Sequence, residues 1–232
     1  MNERRRSGDV PSGEEIASTL DRQREHWTAT YARRPDFLGA EPSEPAVRAL
    51  ERFRDEGVRD LLELGPGQGR DTLLFAGAGL RVIALDYAAA GLAAIRDKAS
   101  AAGLPADRIE TREGDVRRGL PLADASVDAC YAHMLFCMAL TTPELERLAA
   151  EVRRVLRPGG LLVYTVRNAR DAHFRAGVSH GDDMYEMGGF IVHFFDRRLI
   201  DHLAEGFELL EVAEYEEGRL PRRLSGVTQR RG

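Results

Sequence analysis

Apolar and polar positions follow two rhythms along this chain. Leu145, Leu148, Ala149, Val152, Val155 and Leu156 recur at three- and four-residue steps, the spacing of one buried helix face. That stretch also carries its own boundaries. Thr141 with Glu144 three residues on reads as a capping box, Pro143 suits a first helical turn, and Pro158-Gly159-Gly160 follows the end. Short apolar runs at 58–64, 80–85, 109–112, 127–132 and 161–166 read instead as strands. The last is continuously apolar, as in a strand buried on both faces of a parallel sheet.

Between these strands the spacing predicts helices at 71–76 and 88–102, the latter rich in alanine and closed by Gly103. Upstream, residues 1–13 form a polar leader. Helical spacing through Ile16, Leu20 and Trp27 predicts a helix at 14–31, stopped by Pro35, and a second helix covers 46–53. Strands alternating with helices at these intervals predict βαβ units and an α/β fold with a doubly wound, mostly parallel sheet. The chain ends differently. After a helix at 197–204, strands at 207–214 and 224–228 are separated only by a turn region around Gly218 and Pro221. That gap is too short for a parallel crossover, so the pair is expected to be antiparallel. The expected organisation is therefore a leader and capping helices at 1–57 and the main domain at 58–232. Residues 168–195 form an insertion far longer than the usual 2–6 residue connection, the length expected of a functional lid.

Composition narrows the class. Lysine and arginine number 33 against 38 acidic residues, a net charge of −5, so the basic domain of a dedicated nucleic-acid binder is missing. Basic clusters at Arg4-Arg5-Arg6, Arg222-Arg223 and Arg230-Arg231 read as solvated terminal charge. Two cysteines, Cys130 and Cys137, with no C-x-x-C, fit neither a disulfide scaffold nor a structural zinc site, and no metal is expected. The N-terminus lacks the apolar core of a signal peptide, and the most apolar stretch, 129–140, is too short to span a bilayer. A cytoplasmic protein is expected. Glycine is in surplus, 23 residues where an average ~7% would give about 16.

Three of those glycines fall where the first strand turns into its helix, in Glu63-Leu64-Gly65-Pro66-Gly67-Gln68-Gly69-Arg70. Glycine there lets backbone approach a ligand closely. No Lys-Ser/Thr follows, so the loop is not a P-loop, and the spacing lacks the wider gap of the G-x-G-x-x-G fingerprint. Asp86 ends the second strand, where a carboxylate accepts hydrogen bonds from ribose hydroxyls. Tyr87 beside it offers a ring for a flat base. Asp115 and Val116 follow the third strand, an acceptor for an exocyclic amine beside an apolar contact. These residues converge at the carboxyl ends of three successive strands, the crevice where open α/β sheets bind ligands.

In this order the motifs resemble the class I S-adenosylmethionine-dependent methyltransferases. The resemblance covers 58–166, and the final antiparallel pair is similar to the end of that family's Rossmann-like, seven-stranded sheet, whose last strand is antiparallel. It implies S-adenosyl-L-methionine as cofactor and an activity of class EC 2.1.1.-. It also implies residue roles. Glu63, Gly65, Gly67 and Gly69 would lie under the methionine part and Asp86 on the ribose. Tyr87, Asp115 and Val116 would surround the adenine, and His133 would face the sulfonium. Leu156-Arg157-Pro158-Gly159-Gly160 matches the family's turn before the fifth strand. Arg70-Asp71 resembles the tellurite-resistance and thiopurine methyltransferase subgroup, which makes Arg70 a further cofactor-side candidate, and Tyr31 is placed to close over the cofactor.

The family's reaction is an in-line displacement in which the protein mainly supplies proximity and alignment, and no catalytic dyad is evident. Candidates for the acceptor wall are Trp27, Cys137, Asn168, His173, Tyr185 and His193. After the fourth strand the chain reads Ala132-His133-Met134-Leu135, without the Asn/Asp-Pro-Pro-Tyr/Phe pattern of enzymes that methylate base amines. A small-molecule acceptor is expected, with no nucleic-acid or membrane partner. Two other readings stay open: a cofactor-binding sensor or partner protein without turnover, and a nicotinamide-dependent oxidoreductase.

Overall fold

The computed structural model describes residues 13–34, 36–217 and 222–232. The leader with Arg4-Arg5-Arg6, the stop at Pro35 and the turn around Gly218 and Pro221 lie outside the described residues. Two helices come first, α1 (Gly13–Arg33) and α2 (Glu44–Asp55). The alternation follows: β1 (Asp60–Leu64), α3 (Arg70–Gly77), β2 (Arg81–Asp86), α4 (Ala89–Ala101), β3 (Ile109–Glu113), β4 (Val127–His133), α5 (Thr142–Val155) and β5 (Leu156–Arg167). Then come β6 (Val178–Ser179), β7 (Met184–Met187), β8 (Phe190–His193), α6 (Arg197–Leu203), β9 (Phe207–Glu217) and β10 (Arg222–Arg231).

Seven strands form one sheet in the order β3-β2-β1-β4-β5-β10-β9. All neighbours from β3 to β5 pair in parallel, and β10 runs antiparallel to both β5 and β9. This is the doubly wound sheet with an antiparallel last strand that the pattern predicted. The final strands are longer than their apolar patterns, because exposed residues such as Glu216 and Arg223 continue the ladder.

Side-chain alternation sorts each central strand between two cores. On β4, Cys130 and Ala132 join Leu62, Leu64, Leu162 and Tyr164 under the apolar face of α5. Ala129 and Tyr131 join Leu61, Leu161 and Val163 on the other face, against α2 and α3 through Leu50, Phe53 and Phe75. Burial on both faces is the physical reason that these strands read as continuous apolar runs. The predicted cap on α5 is present, with the Glu144 carboxylate accepting the Thr141 N–H at 2.8 Å. α2, expected among the capping helices, packs into the second core.

The long connection after β5 is not a plain loop. β6, β7 and β8 make a three-stranded antiparallel sheet. Gly188-Gly189, both at positive φ (59° and 86°), form the two-residue turn between Met187 and Phe190, as the twist of a tight hairpin requires. α1 docks on this hairpin. The Gln23 side chain donates to the Gly189 carbonyl at 2.9 Å and accepts the Ile191 N–H at 3.2 Å.

Candidate active site

β1 lies between β2 and β4, which its chain crosses to in opposite directions, so a crevice opens at the carboxyl ends of these strands. A cavity of about 720 Å³ occupies it, a size typical of small-ligand sites. Its floor is the strand ends, and α1 with the β7–β8 hairpin makes its roof. Trp27 on α1 packs on Phe190 of the hairpin with ring centroids 4.7 Å apart, and Phe37 stacks on the same ring at 6.2 Å.

The glycine loop is shaped by what surrounds it. Gly65, Gly67 and Gly69 have φ of 66°, 57° and 84°, a region costly for residues with a Cβ. A Cβ on Gly67 would sit 2.9 Å from the Tyr31 hydroxyl oxygen, and one on Gly69 2.5 Å from Ile95 Cγ1. The loop is thus pressed between α1 and α4. Gly91 at the start of α4 completes the fit, since a Cβ there would lie 2.4 Å from the Gly67 carbonyl oxygen. Gly91 went unread in the sequence because it looks like a helix interior.

Three acids stand around the loop. Asp86 is buried, its Oδ2 accepting the Gly67 N–H at 3.1 Å and its Oδ1 the Ala88 N–H at 2.9 Å. A carboxylate has about four lone-pair sites, so Asp86 keeps acceptor capacity toward the cavity that it lines. Burial pushes its pKa up to about 6 despite those N–H donors. Glu63 is pushed further, to about 8, by burial and then by the neighbouring Asp71 charge. The Thr72 hydroxyl donates to it at 2.6 Å. Asp71 accepts from the Ser43 N–H and hydroxyl at 2.7 and 2.8 Å, tying α2 to α3.

The cavity continues past Tyr87 and Val116 on one side and past His133 on the other. The Asp115 carboxylate does not line it. Arg117 grips both its oxygens, with Nη2–Oδ2 at 2.7 Å and Nε–Oδ1 at 3.1 Å, and reaches on to Asp21 of α1 at 2.9 Å. Although burial raises the Asp115 pKa, the Arg117 contacts hold it below the usual carboxylate range. Arg70 lines the cavity as well. It donates to the Leu38 carbonyl at 3.0 Å and to Glu217 of β9 at 3.0 Å, and meets His133 Nε2 at 3.1 Å. The His133 ring and then Arg70 hold Glu217 down at about 2.

Of the six acceptor-wall candidates, Trp27 and His173 line the cavity. The other four lie elsewhere. Cys137 is buried in the core, its thiol directed at the Met134 carbonyl at 3.3 Å, and burial raises its pKa to about 11. His193 is buried with Nδ1 donating to the Leu140 carbonyl at 2.8 Å, and burial keeps its pKa low. Tyr185 packs edge-on to Phe174 and Phe194. Asn168 borders a separate shallow depression with Glu214 and Arg223. The wall is supplied instead by Met134, Met138, Arg167, Phe190, Glu217 and Arg222. Phe190 falls in the 168–195 insertion that its length marked as a lid. Glu217 and Arg222 carried no such signal, since β9 and β10 reach the site only through the sheet order.

Residues 62–164 match the family model of a methyltransferase domain. These residues carry a methyltransferase domain. S-adenosylmethionine is the cofactor of that family. A sterol 24-C-methyltransferase of Gibberella zeae is 29% identical over 128 residues, which cover 50% of this chain and 31% of the relative. The chain thus matches about a third of that relative's length. The fold is shared with a Burkholderia thailandensis 1,6-didemethyltoxoflavin-N1-methyltransferase, solved with 1,6-didemethyltoxoflavin and S-adenosylhomocysteine bound. That structure is 17% identical with a TM-score of 0.73, covering 97% of this chain and 93% of that one. It is shared also with the [4+2]-cyclase SpnF, at 19% identity and a TM-score of 0.69 over 92% and 96% of the two chains. The residues present fit such a cofactor. A buried carboxylate with spare acceptor capacity stands beside a loop that admits no Cβ, on the wall of a cavity of sufficient size. Among the described residues, no His/Cys/Asp/Glu group is arranged to hold a metal, and no helix is long and apolar enough to cross a membrane.

Proposed function

We propose that the protein transfers a methyl group from S-adenosylmethionine to a small organic acceptor held under the α1–hairpin roof. The observation that carries this reading is Asp86, buried at the cavity wall and bonded to the glycine loop at Gly67. Its free lone pairs would accept the ribose hydroxyls, while Tyr87 and Val116 would enclose the adenine. Asp115 enters as the anchor that fixes Val116 through Arg117. Gly65 and Glu63 would border the methionine portion, with Tyr31 closing over it. When bound, the cofactor supplies an activated methyl group on a sulfonium. The chain's own residues then orient the acceptor and exclude water, and the aromatic roof of Trp27, Phe37 and Phe190 suits a planar body. The toxoflavin enzyme, whose substrate is a small molecule, supports this acceptor class.

Calorimetry against S-adenosylhomocysteine and NAD tests the reading. Binding of S-adenosylhomocysteine, with its release from S-adenosylmethionine over a panel of small metabolites, is the expected result. Binding of NAD instead would sink it in favour of an oxidoreductase. Cofactor binding with no turnover on any acceptor would make the protein a sensor or partner subunit.

A further inference from the structure

The far end of the cavity holds two histidines whose ring nitrogens are used differently. His133 has both occupied, Nδ1 by the Thr165 hydroxyl at 2.8 Å and Nε2 by Arg70 at 3.1 Å. His173 has only Nδ1 occupied, 2.7 Å from Arg167 Nη2 and 3.2 Å from Asp171 Oδ1. A guanidinium is a donor only. In the neutral ring, Nδ1 therefore accepts from Arg167 and the proton sits on Nε2. A protonated ring carries a proton on Nε2 as well. In either state the nitrogen presented to the cavity is a hydrogen-bond donor, and Nε2 has no partner among the described residues. The His173 side chain is 41% exposed and lines the cavity.

Arg222 stands at the same end. Asp171, fully buried, joins the two sides of this corner: it accepts from the His173 N–H at 2.8 Å and from the Arg223 N–H at 2.9 Å. The carboxylate thereby fixes the backbone on each side of His173 and Arg222. Among the described residues the Arg222 guanidinium has only a distant counter-ion, Glu217 at 3.7 Å, and Glu217 is already committed to Arg70 at 3.0 Å. Arg167 is held by Asp171, and Arg70 by Glu217 at 3.0 Å and Asp71 at 3.9 Å. Among the described residues Arg222 is thus the guanidinium of this corner without a close carboxylate, beside the apolar surfaces of Met134, Met138 and Phe190.

We propose that the methyl acceptor is a planar, largely apolar molecule bearing an anionic oxygen, such as a carboxylate, received by His173 Nε2–H and Arg222. This rests on the methyltransferase reading and adds the acceptor's charge and the residues that select it. His173 is a positioning residue here, not a base, since its exposed nitrogen already carries a proton. Charge-assisted bonds to an anion are about twice as strong as neutral ones, and a primary amide in its place would set its own N–H donors against those of His173 and Arg222.

The test uses the full chain saturated with S-adenosylhomocysteine and a panel of hydroxybenzoates, indole carboxylates and quinoline carboxylates, each beside its primary amide. Carboxylates are expected to bind at least tenfold more tightly than their amides by calorimetry. Arg222→Gln and His173→Phe should each erase that preference, and His173→Gln, which keeps an N–H donor, should restore part of it. S-adenosylhomocysteine titration of each variant reports the cofactor end and folding separately. Failure of the wild-type protein to bind S-adenosylhomocysteine overturns the methyltransferase reading. Normal cofactor binding overturns only the present inference if no carboxylate binds, if amides bind as well, or if the preference survives both Arg222→Gln and His173→Phe.

Discussion

The Asp86 carboxylate accepts the Gly67 backbone N–H at 3.1 Å, so the acid proposed for the ribose also sets the shape of the loop beneath the cofactor. One replacement should therefore disturb two things. Asp86→Asn puts an NH2 donor where both Gly67 and a ribose hydroxyl need an acceptor. Hydrogen bonds to charged groups contribute roughly 1.5–3 kcal/mol, and about 1.4 kcal/mol is a factor of ten in affinity. Affinity for S-adenosylhomocysteine should fall roughly ten- to hundredfold by calorimetry. An unchanged value would remove Asp86 from the cofactor site.

The raised pKa values of Glu63 and Asp86 give an unusual pH dependence. Between a carboxylate's ordinary pKa and its raised native value, the folded protein binds more protons than the unfolded chain. Stability therefore falls as pH rises through that interval. For Glu63 the interval runs from 4.5 to about 8. His193, kept neutral by burial, acts in the opposite sense below about 6.5. The clean window thus lies above that. The thermal midpoint of the ligand-free protein should drop from pH 6.8 to 8, and Glu63→Gln should flatten the slope. Cofactor affinity should respond at the other end. Below about 6, where Asp86 takes up a proton, it should fall toward tenfold per pH unit, and Asp86→Asn should abolish that dependence.

Gly91→Ala tests the contact between α4 and the loop. The added methyl would meet the Gly67 carbonyl oxygen at 2.4 Å, and backbone cannot swing aside as a flexible side chain can. Overpacking of this kind costs about 1–3 kcal/mol, and the displaced loop should weaken S-adenosylhomocysteine binding at least tenfold. Gly77→Ala is the control. Gly77 ends α3 with no atom within 4 Å of its added Cβ, so the change should be neutral or stabilising by up to about 1 kcal/mol. Equal effects from the two substitutions would show that helix propensity, not the loop contact, governs position 91.

These contrasts explain what the sequence disclosed. The parallel sheet was legible because its central strands bury both faces, so 61–64 and 161–166 are apolar apart from Glu63 and Thr165. The proposed cofactor end was legible because Gly65, Asp86 and Val116 each sit at or just past the end of a strand, and sequence position there is spatial position. The acceptor end is assembled otherwise. Arg167, Glu217 and Arg222 meet because β10 inserts between β5 and β9, an order that no local pattern encodes. His193 and Cys137 attracted attention as reactive types, yet both are buried among core groups, and chemistry-bearing side chains carry no mark of which way they point. The β7–β8 hairpin did leave a signal. Gly188-Gly189 between Met187 and Phe190 is a two-residue turn pair, overlooked because its four-residue strands are too short to show a period.

One side chain joins α1 to the hairpin by hydrogen bonds, which makes its role in the roof measurable. Gln23 is 7% exposed and joins α1 to the hairpin by two hydrogen bonds, one to the Gly189 carbonyl and one from the Ile191 N–H. Gln23→Ala would leave both backbone groups without that partner, at about 1–3 kcal/mol for each that stays buried. The hairpin is short and contacts α1 mainly through Gln23 and the Phe190 ring, so the loss should appear as local opening. Hydrogen exchange at Ile191 should accelerate at least tenfold, while exchange in β1 and β4 stays as it was. Because the hairpin roofs the acceptor end and Asp86 lies at the other, the acceptor KM should rise several-fold with little change in S-adenosylhomocysteine affinity. A rise in exchange across the whole sheet would instead assign Gln23 to global stability. An unchanged KM with a mobile hairpin would mean that the roof does not hold the acceptor.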